Sequence, residues 1–278
     1  MAACPLASYF LTCGRADWTK YQPDRTISAM DILDDLLMSL PDDAPVRAIL
    51  VGVHWTVVCS RGCGLASTVA GDRPHGHAQV RDVGRLHSKS GRELAGYVCS
   101  DNPLEASIGL AAINSLLEVD ERRAVEINAA EVLAEHGRGK KVALVGHFPF
   151  IPCLRRQVGQ LWVIEQQPTE GEYPAAAAPE LIPQADVVAI TGSSLINHTL
   201  GDLLALCRRD ALVMVLGPST PLSSVLFAHG ATVISGARVV DEAAVLRTVG
   251  QGATFQQVQG VRLLTLHREH TAPSMPSV

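Results

Sequence analysis

Gly146-His147 and Glu165 stand 19 residues apart (165 − 146), each at the end of a short apolar run. An imidazole titrates near neutrality and suits proton transfer. A carboxylate at the second position suits ribose hydroxyls or a cation. Two later clusters repeat the design: Thr191-Gly192-Ser193-Ser194, with Asn197 close behind, and Gly217-Pro218-Ser219-Thr220-Pro221. Hydroxyl side chains and free N–H groups at a helix start can hold an anion. Capping alone needs one such side chain, so the surplus points to a ligand. Pro221 fits a first helical turn, and His198 falls on the helix after the Thr191 cluster. His147 is thus the candidate acid–base. Gly146, Phe148, Glu165, Thr191, Gly192, Ser193, Ser194, Asn197, Gly217, Pro218, Ser219 and Thr220 are candidate ligand contacts.

A second group lies earlier. Cys59, Cys63, His75 and His77 fall within 19 residues, with His54 and His87 nearby. Such a set could hold a divalent transition metal tetrahedrally, although the spacing matches no standard zinc motif. Asn114 is a polar residue in an apolar segment and is read as pointing into a cleft.

Several chemistries fit poorly. The turn Gly146-His-Phe-Pro-Phe-Ile lacks G-x-G-x-x-G, and Phe148 and Pro149 stand where a pyrophosphate needs bare backbone, which argues against NAD or FAD. S-adenosylmethionine, a nucleoside ligand without pyrophosphate, remains open. No G-x-S-x-G elbow exists for a Ser-His-Asp hydrolase.

The elements that must position these residues follow from periodicity. Val142–Val145, Leu161–Ile164, Val187–Ile190 and Leu212–Leu216 are continuous apolar runs, which read as strands buried on both faces. Helical stretches separate them, so the sheet is expected to be parallel, with ligands at the carboxyl ends of its strands. The helices expected between them span 151–158, 178–182, 194–208, 220–229 and 241–249, and a last strand spans 261–266. Earlier, 28–40 reads as an amphipathic helix capped by Ser28, 46–59 as a long strand or a hairpin kinked at Gly52, and 65–69 as a short strand. Residues 103–117 read as an apolar helix and 121–136 as a charged amphipathic one. Residues 1–26 suggest an edge strand or a loosely held arm, and 271–278 a disordered tail. The expected division is an α+β domain at 1–120 and a second domain at 121–270.

Hydrophobic residues make up 47% and charged residues 18%, which supplies a core and excludes global disorder. A net charge of −5 and 4% aromatics give neither a basic footprint nor a stacking platform for nucleic acid. Seven scattered cysteines suit reduced thiols. There is no signal-peptide pattern and no run of ~20 apolar residues. The expectation is a soluble cytoplasmic protein with no membrane partner. The apolar helix 103–117 serves either the core or a homodimer.

Together, Gly146-His-Phe-Pro-Phe-Ile, Glu165-x-x-Pro168-x-x-Gly171-Glu-Tyr-Pro174, Leu181-Ile-Pro-x-Ala-Asp186, Thr191-Gly-Ser-Ser-Leu-Ile-Asn197-His-Thr-Leu and Leu216-Gly-Pro-Ser-Thr-Pro-Leu222 resemble the "putative heavy-metal chelation" domain family. The match runs from about 121 to 260. Gly64-Leu-Ala-Ser-Thr68 and Ala106-Ser-Ile-Gly-Leu-Ala-Ala-Ile-Asn114 are similar to that family's N-terminal part. The resemblance implies an α/β chain: a smaller α+β, enolase-N-terminal-like domain, then a Rossmann-like, mostly parallel sheet with flanking helices. It also implies a site between the two and a link to metal homeostasis. The ligand would be a small anionic metal chelate or a pterin-, flavin- or siderophore-like precursor. The competing readings are a methyltransferase-like enzyme using S-adenosylmethionine and a non-catalytic metal binder using Cys59, Cys63, His75 and His77.

Overall fold

A computed structural model describes residues 29–70 and 79–268. The arm at 1–26, Ser28, His75, His77 and the tail at 271–278 lie outside the described residues.

The described residues begin with helix α1 (Ala29–Met38), which buries Leu33 and Leu36. Strands β1 (Ala48–Val51) and β2 (Trp55–Cys59) follow as an antiparallel hairpin, the alternative that the kink at Gly52 allowed. Strand β3 (Cys63–Ser67) pairs antiparallel with β2, setting Trp55 opposite Ser67 and Cys59 opposite Cys63. Helix α2 (Gly91–Ala95) starts in a capping box made by Ser90 and Glu93. Helix α3 (Pro103–Leu116) has Asn102 as its cap and Pro103 at its first position. It lies directly on β3, where a Cβ at Gly64 would stand 2.1 Å from the Ala111 carbonyl oxygen.

The helix expected over 121–136 is shorter than its pattern. A 3-10 turn spans Glu121–Arg123, the chain then extends, and Asn128 caps helix α4 (Ala129–His136). Val125 and Ile127 are β-branched and favour extended backbone, and Val125 exchanges both backbone hydrogen bonds with Thr265.

The rest alternates: β4 (Lys141–Val145), α5 (Ile151–Leu154), β5 (Gln160–Glu165), β6 (Tyr173–Pro174), α6 (Ala178–Leu181), β7 (Val187–Thr191), α7 (Leu200–Ala205), β8 (Leu212–Leu216), α8 (Val225–Ala228), β9 (Val233–Val239), α9 (Glu242–Gly250) and β10 (Val261–His267). The seven strands lie in the order β10-β9-β8-β7-β4-β5-β6, all pairs parallel except β10 with β9. Chain order reverses between β4 and β7. This is the switch point, where connections leave on opposite faces and open a crevice at the carboxyl ends.

Both faces of the sheet are covered. Val142, Leu144, Val163 and Ala189 pack with α4 and α5 residues, whereas Ala143, Val145, Ile164 and Ile190 join a cluster that continues into α1, α3, α6 and α7. The smaller three-stranded part therefore shares an apolar cluster with the large sheet through α3.

Three further predicted helices are corrected. The segment 151–158 holds only the single α-helical turn α5. The segment 194–208 opens as a 3-10 turn over Gly192–Leu195, breaks at His198 (φ 60°) and becomes α-helical only at Leu200. His198 adopts that left-handed backbone while its Nε2 bonds the Val98 carbonyl oxygen at 2.8 Å. The segment 220–229 stays irregular to Ser224, and helix begins at Val225. Pro221 disfavours helical backbone at Thr220. Among the described residues no helix is long and apolar enough to cross a membrane.

Candidate functional site

The cleft at the switch point has two walls. The turns after β4, β7 and β8 and the end of β5 form one; the β2–β3 hairpin forms the other. It is lined by Gly146, His147, Phe148, Glu165, Thr191, Ser193, Gly217, Pro218 and Ser219 on the first side, and by His54, Trp55, Ser67, Thr68 and Val69 on the second. Its cavity volume is about 60 Å³, room for a small polar group or a few waters.

Backbone geometry shapes the first wall. Gly146 and Gly217 have φ of 113° and 108°, a region that favours glycine. They turn the chain sharply at the ends of β4 and β8. Gly192 acts through size: a Cβ there would stand 2.4 Å from Thr220 Oγ1 and 2.7 Å from Thr220 Cα. Its absence lets the turns after β7 and β8 lie against each other. Thr191 Oγ1 accepts from the Ser193 N–H and lies 2.8 Å from Ser193 Oγ. The expected α-helix starts do not form at either cluster: Thr191 caps a 3-10 turn, and the second cluster stays irregular. The hydroxyls of Thr191, Ser193 and Ser219 still face the cleft region.

His147 is half-exposed, and its Nδ1 lies 2.8 Å from Glu172 Oε1. Burial alone would raise the Glu172 pKa. The Thr169 N–H and hydroxyl, with His147, overcome this and hold it below the usual carboxylate range. An ionised Glu172 only accepts, so Nδ1 of a neutral His147 donates and Nε2 is left as its basic nitrogen. Glu165 differs. Its residue is 8% exposed. Burial pushes its pKa up, aided by the charge of Glu172, against the lowering effects of the Gln166 and His147 N–H groups and the His147 charge. Glu172, behind His147, is held charged, whereas Glu165, which lines the cleft, is biased toward its neutral form.

Hydrogen bonds join the walls. The Ser67 N–H donates to Ser219 Oγ (2.8 Å), and the two hydroxyls lie 3.0 Å apart. Asn114 Nδ2 donates to the carbonyl oxygens of Leu65 (2.9 Å) and Ser219 (3.1 Å). Asn114 is therefore a tie between the walls, and it lines a separate small recess with Cys63 and Thr220. Ser194 and Asn197 line another recess behind the cleft, which shares Gly146, Glu165, Thr191 and Ser193 with it. Ser194 Oγ is turned back to the Thr191 carbonyl oxygen at 2.7 Å, and Asn197 Oδ1 accepts from Thr199 Oγ1 at 2.7 Å.

Cys59 and Cys63 meet across the hairpin at its far end, in an apolar cluster with Val245, Val249 and Phe255. Hydrogen bonding to Cys63 and burial push the Cys59 thiol well up, away from the thiolate that binds metal. Among the described residues no group of three or more His, Cys, Asp or Glu is disposed to hold a metal ion.

The sequence reading gave no role to Trp55, Ser67, Thr68 or Glu172, and counted His54 only among the possible metal ligands. Ser67 and Thr68 belong to the string Gly64–Thr68, and Glu172 to the string that begins at Glu165. Only the fold brings Glu172 to a histidine 25 residues away.

Two family models, both described as putative heavy-metal chelation, match residues 33–117 and 128–267. A crystal structure of a DUF364-family protein of unknown function from Desulfitobacterium hafniense is 32% identical, with a TM-score of 0.77 over 86% of this chain and 99% of that one. Another of unknown function, from Pyrococcus horikoshii, is 19% identical, with a TM-score of 0.71 over 85% and 98%. An uncharacterized protein of Methanocaldococcus jannaschii is 27% identical over 188 residues, 65% of this chain and 71% of that protein.

Proposed function

The chain belongs to the putative heavy-metal chelation family, and on that premise we propose that the cleft at the switch point binds or processes a small metal chelate or its pterin-, flavin- or siderophore-like precursor. One observation carries the reading. Nine residues singled out for their chemistry, drawn from four separate segments, line one cavity together with the hairpin. In this reading His147 is the proton-transfer group, oriented by Glu172, and Glu165 receives an N–H or O–H donor of the ligand. The hydroxyls of Thr191, Ser193 and Ser219 orient its polar atoms.

Native mass spectrometry of gently purified, untagged protein tests the reading. The expected result is a retained organic mass, alone or with a metal, that the denatured protein releases. His147→Ala should reduce its retention roughly tenfold or more, as loss of a hydrogen bond to a desolvated ligand does. Full retention, with any associated activity intact, rejects the role of His147.

S-adenosylmethionine is a second reading, favoured by the buried Glu165 beside the Gly146 turn. Equilibrium dialysis with labelled cofactor decides it: no binding at high micromolar concentration removes it. A metal carrier built on Cys59 and Cys63 fits less well, because those thiols face the apolar cluster.

A further inference from the structure

Buried indole N–H groups are normally hydrogen-bonded. Trp55 departs from this. It lines the cleft, is 6% exposed, and its enclosed Nε1 has no hydrogen-bond partner among the described residues. The ring is fixed rather than adrift: it packs on Phe255 with centroids 5.4 Å apart. Directly opposite on the same face of the hairpin is Ser67, which is bonded to Ser219 on the facing wall. A rigid donor at the junction of the two walls, left without an acceptor, is a donor kept for something that enters.

We infer that the Trp55 indole N–H is a ligand contact, donating to an acceptor oxygen of the molecule held in the cleft: a carboxylate, carbonyl or phenolate oxygen. The inference rests on the cleft being the ligand site and adds the ligand's polarity. The acceptor oxygen faces the hairpin wall, and the donor group faces Glu165 across the cavity. A cavity of about 60 Å³ takes one such oxygen-bearing group rather than a whole chelate, so the remainder of the molecule extends toward the mouth.

The test follows indole resonances of the full-length, 15N-labelled protein during titration with sodium acetate and then citrate. The chain has three tryptophans, Trp18, Trp55 and Trp162, and the Trp55→Phe spectrum assigns the signal. The expected result is a saturable downfield shift of the Trp55 indole proton, with the other two unmoved. Trp55→Phe keeps the ring and removes the N–H. It should weaken binding of the same probes roughly tenfold and leave Tm unchanged or higher, since a buried donor without a partner stabilises nothing. A structural role predicts the opposite pair, a lower Tm with binding intact, and overturns the inference. Shifts at His147 with the Trp55 signal still also overturn it while leaving the cleft reading standing. No shift anywhere in the cleft rejects both.

Discussion

At one end of the β2–β3 hairpin, Trp55 and Ser67 face each other at the wall of the cleft. At the other end, Cys59 and Cys63 face each other among Val245, Val249 and Phe255, with the Arg47–Glu242 ion pair at 2.7 Å alongside. Residue type alone favours the cysteine end as the place for metal chemistry. Surroundings reverse that. One apolar cluster reaches both ends: it encloses the thiols, that of Cys59 pushed well up by its hydrogen bond to Cys63 and by burial, whereas Trp55 also lines the cavity and its indole nitrogen has no hydrogen-bond partner among the described residues. Chemical competence belongs to what surrounds a side chain as much as to its identity.

Substitutions can separate the two ends. Gly64→Ala should have the largest effect, because the new Cβ would meet backbone atoms of α3, which cannot yield (2.1 Å to Ala111 O, 2.3 Å to Ser115 N). Lifting the hairpin from α3 should cost more than about 4 kcal/mol, read by chemical denaturation, and should abolish ligand retention with it. A mild loss would mean that the hairpin does not depend on that contact. Cys59→Ser comes next. A hydroxyl in the apolar cluster should cost about 1–3 kcal/mol, while the acetate-induced shift at Trp55 persists. Loss of that shift would show that the two ends act as one.

Glu165→Gln is the smallest and carries the opposite sign. The folded-state pKa of Glu165 is raised, so the folded protein prefers the protonated form. Wild-type stability from this group is therefore full below the unfolded pKa of about 4.3 and lost as pH rises through the folded value. Glu165→Gln should raise Tm by a few degrees at neutral pH, with the difference fading below about pH 4. A Tm that falls at neutral pH would place Glu165 in an ion pair that the fold needs.

Much of the frame was legible because burial on both faces writes itself as uninterrupted apolar runs. β4, β5, β7 and β8 sit where those runs end, and the polar residues after them line the crevice. β9 was hidden because Ser235, Gly236 and Arg238 interrupt its run, although it pairs along its length with β10. Helix lengths were overread wherever local backbone overrode periodicity, as at His198 and Pro221. The Ser90–Glu93 capping box is by contrast a local signal, written in four consecutive residues at the start of α2. Glu172 and Trp55 were beyond reach for a different reason. Their significance lies in a partner gained or withheld through space, and no spacing along the chain encodes either.

Gly192 settles how the cleft can yield. With Thr220 seated against it, the turns after β7 and β8 have no play between them and respond to a push as a single stiff block, backed by two paired strands. The opposite wall is held by the hydrogen bonds of Ser67 and Asn114 and by the apolar cluster in which Trp55, Val57 and Leu65 pack with Val245, Val249 and Phe255. With both walls tied into packed elements, the space between them, about 60 Å³, bounds the group that the site encloses.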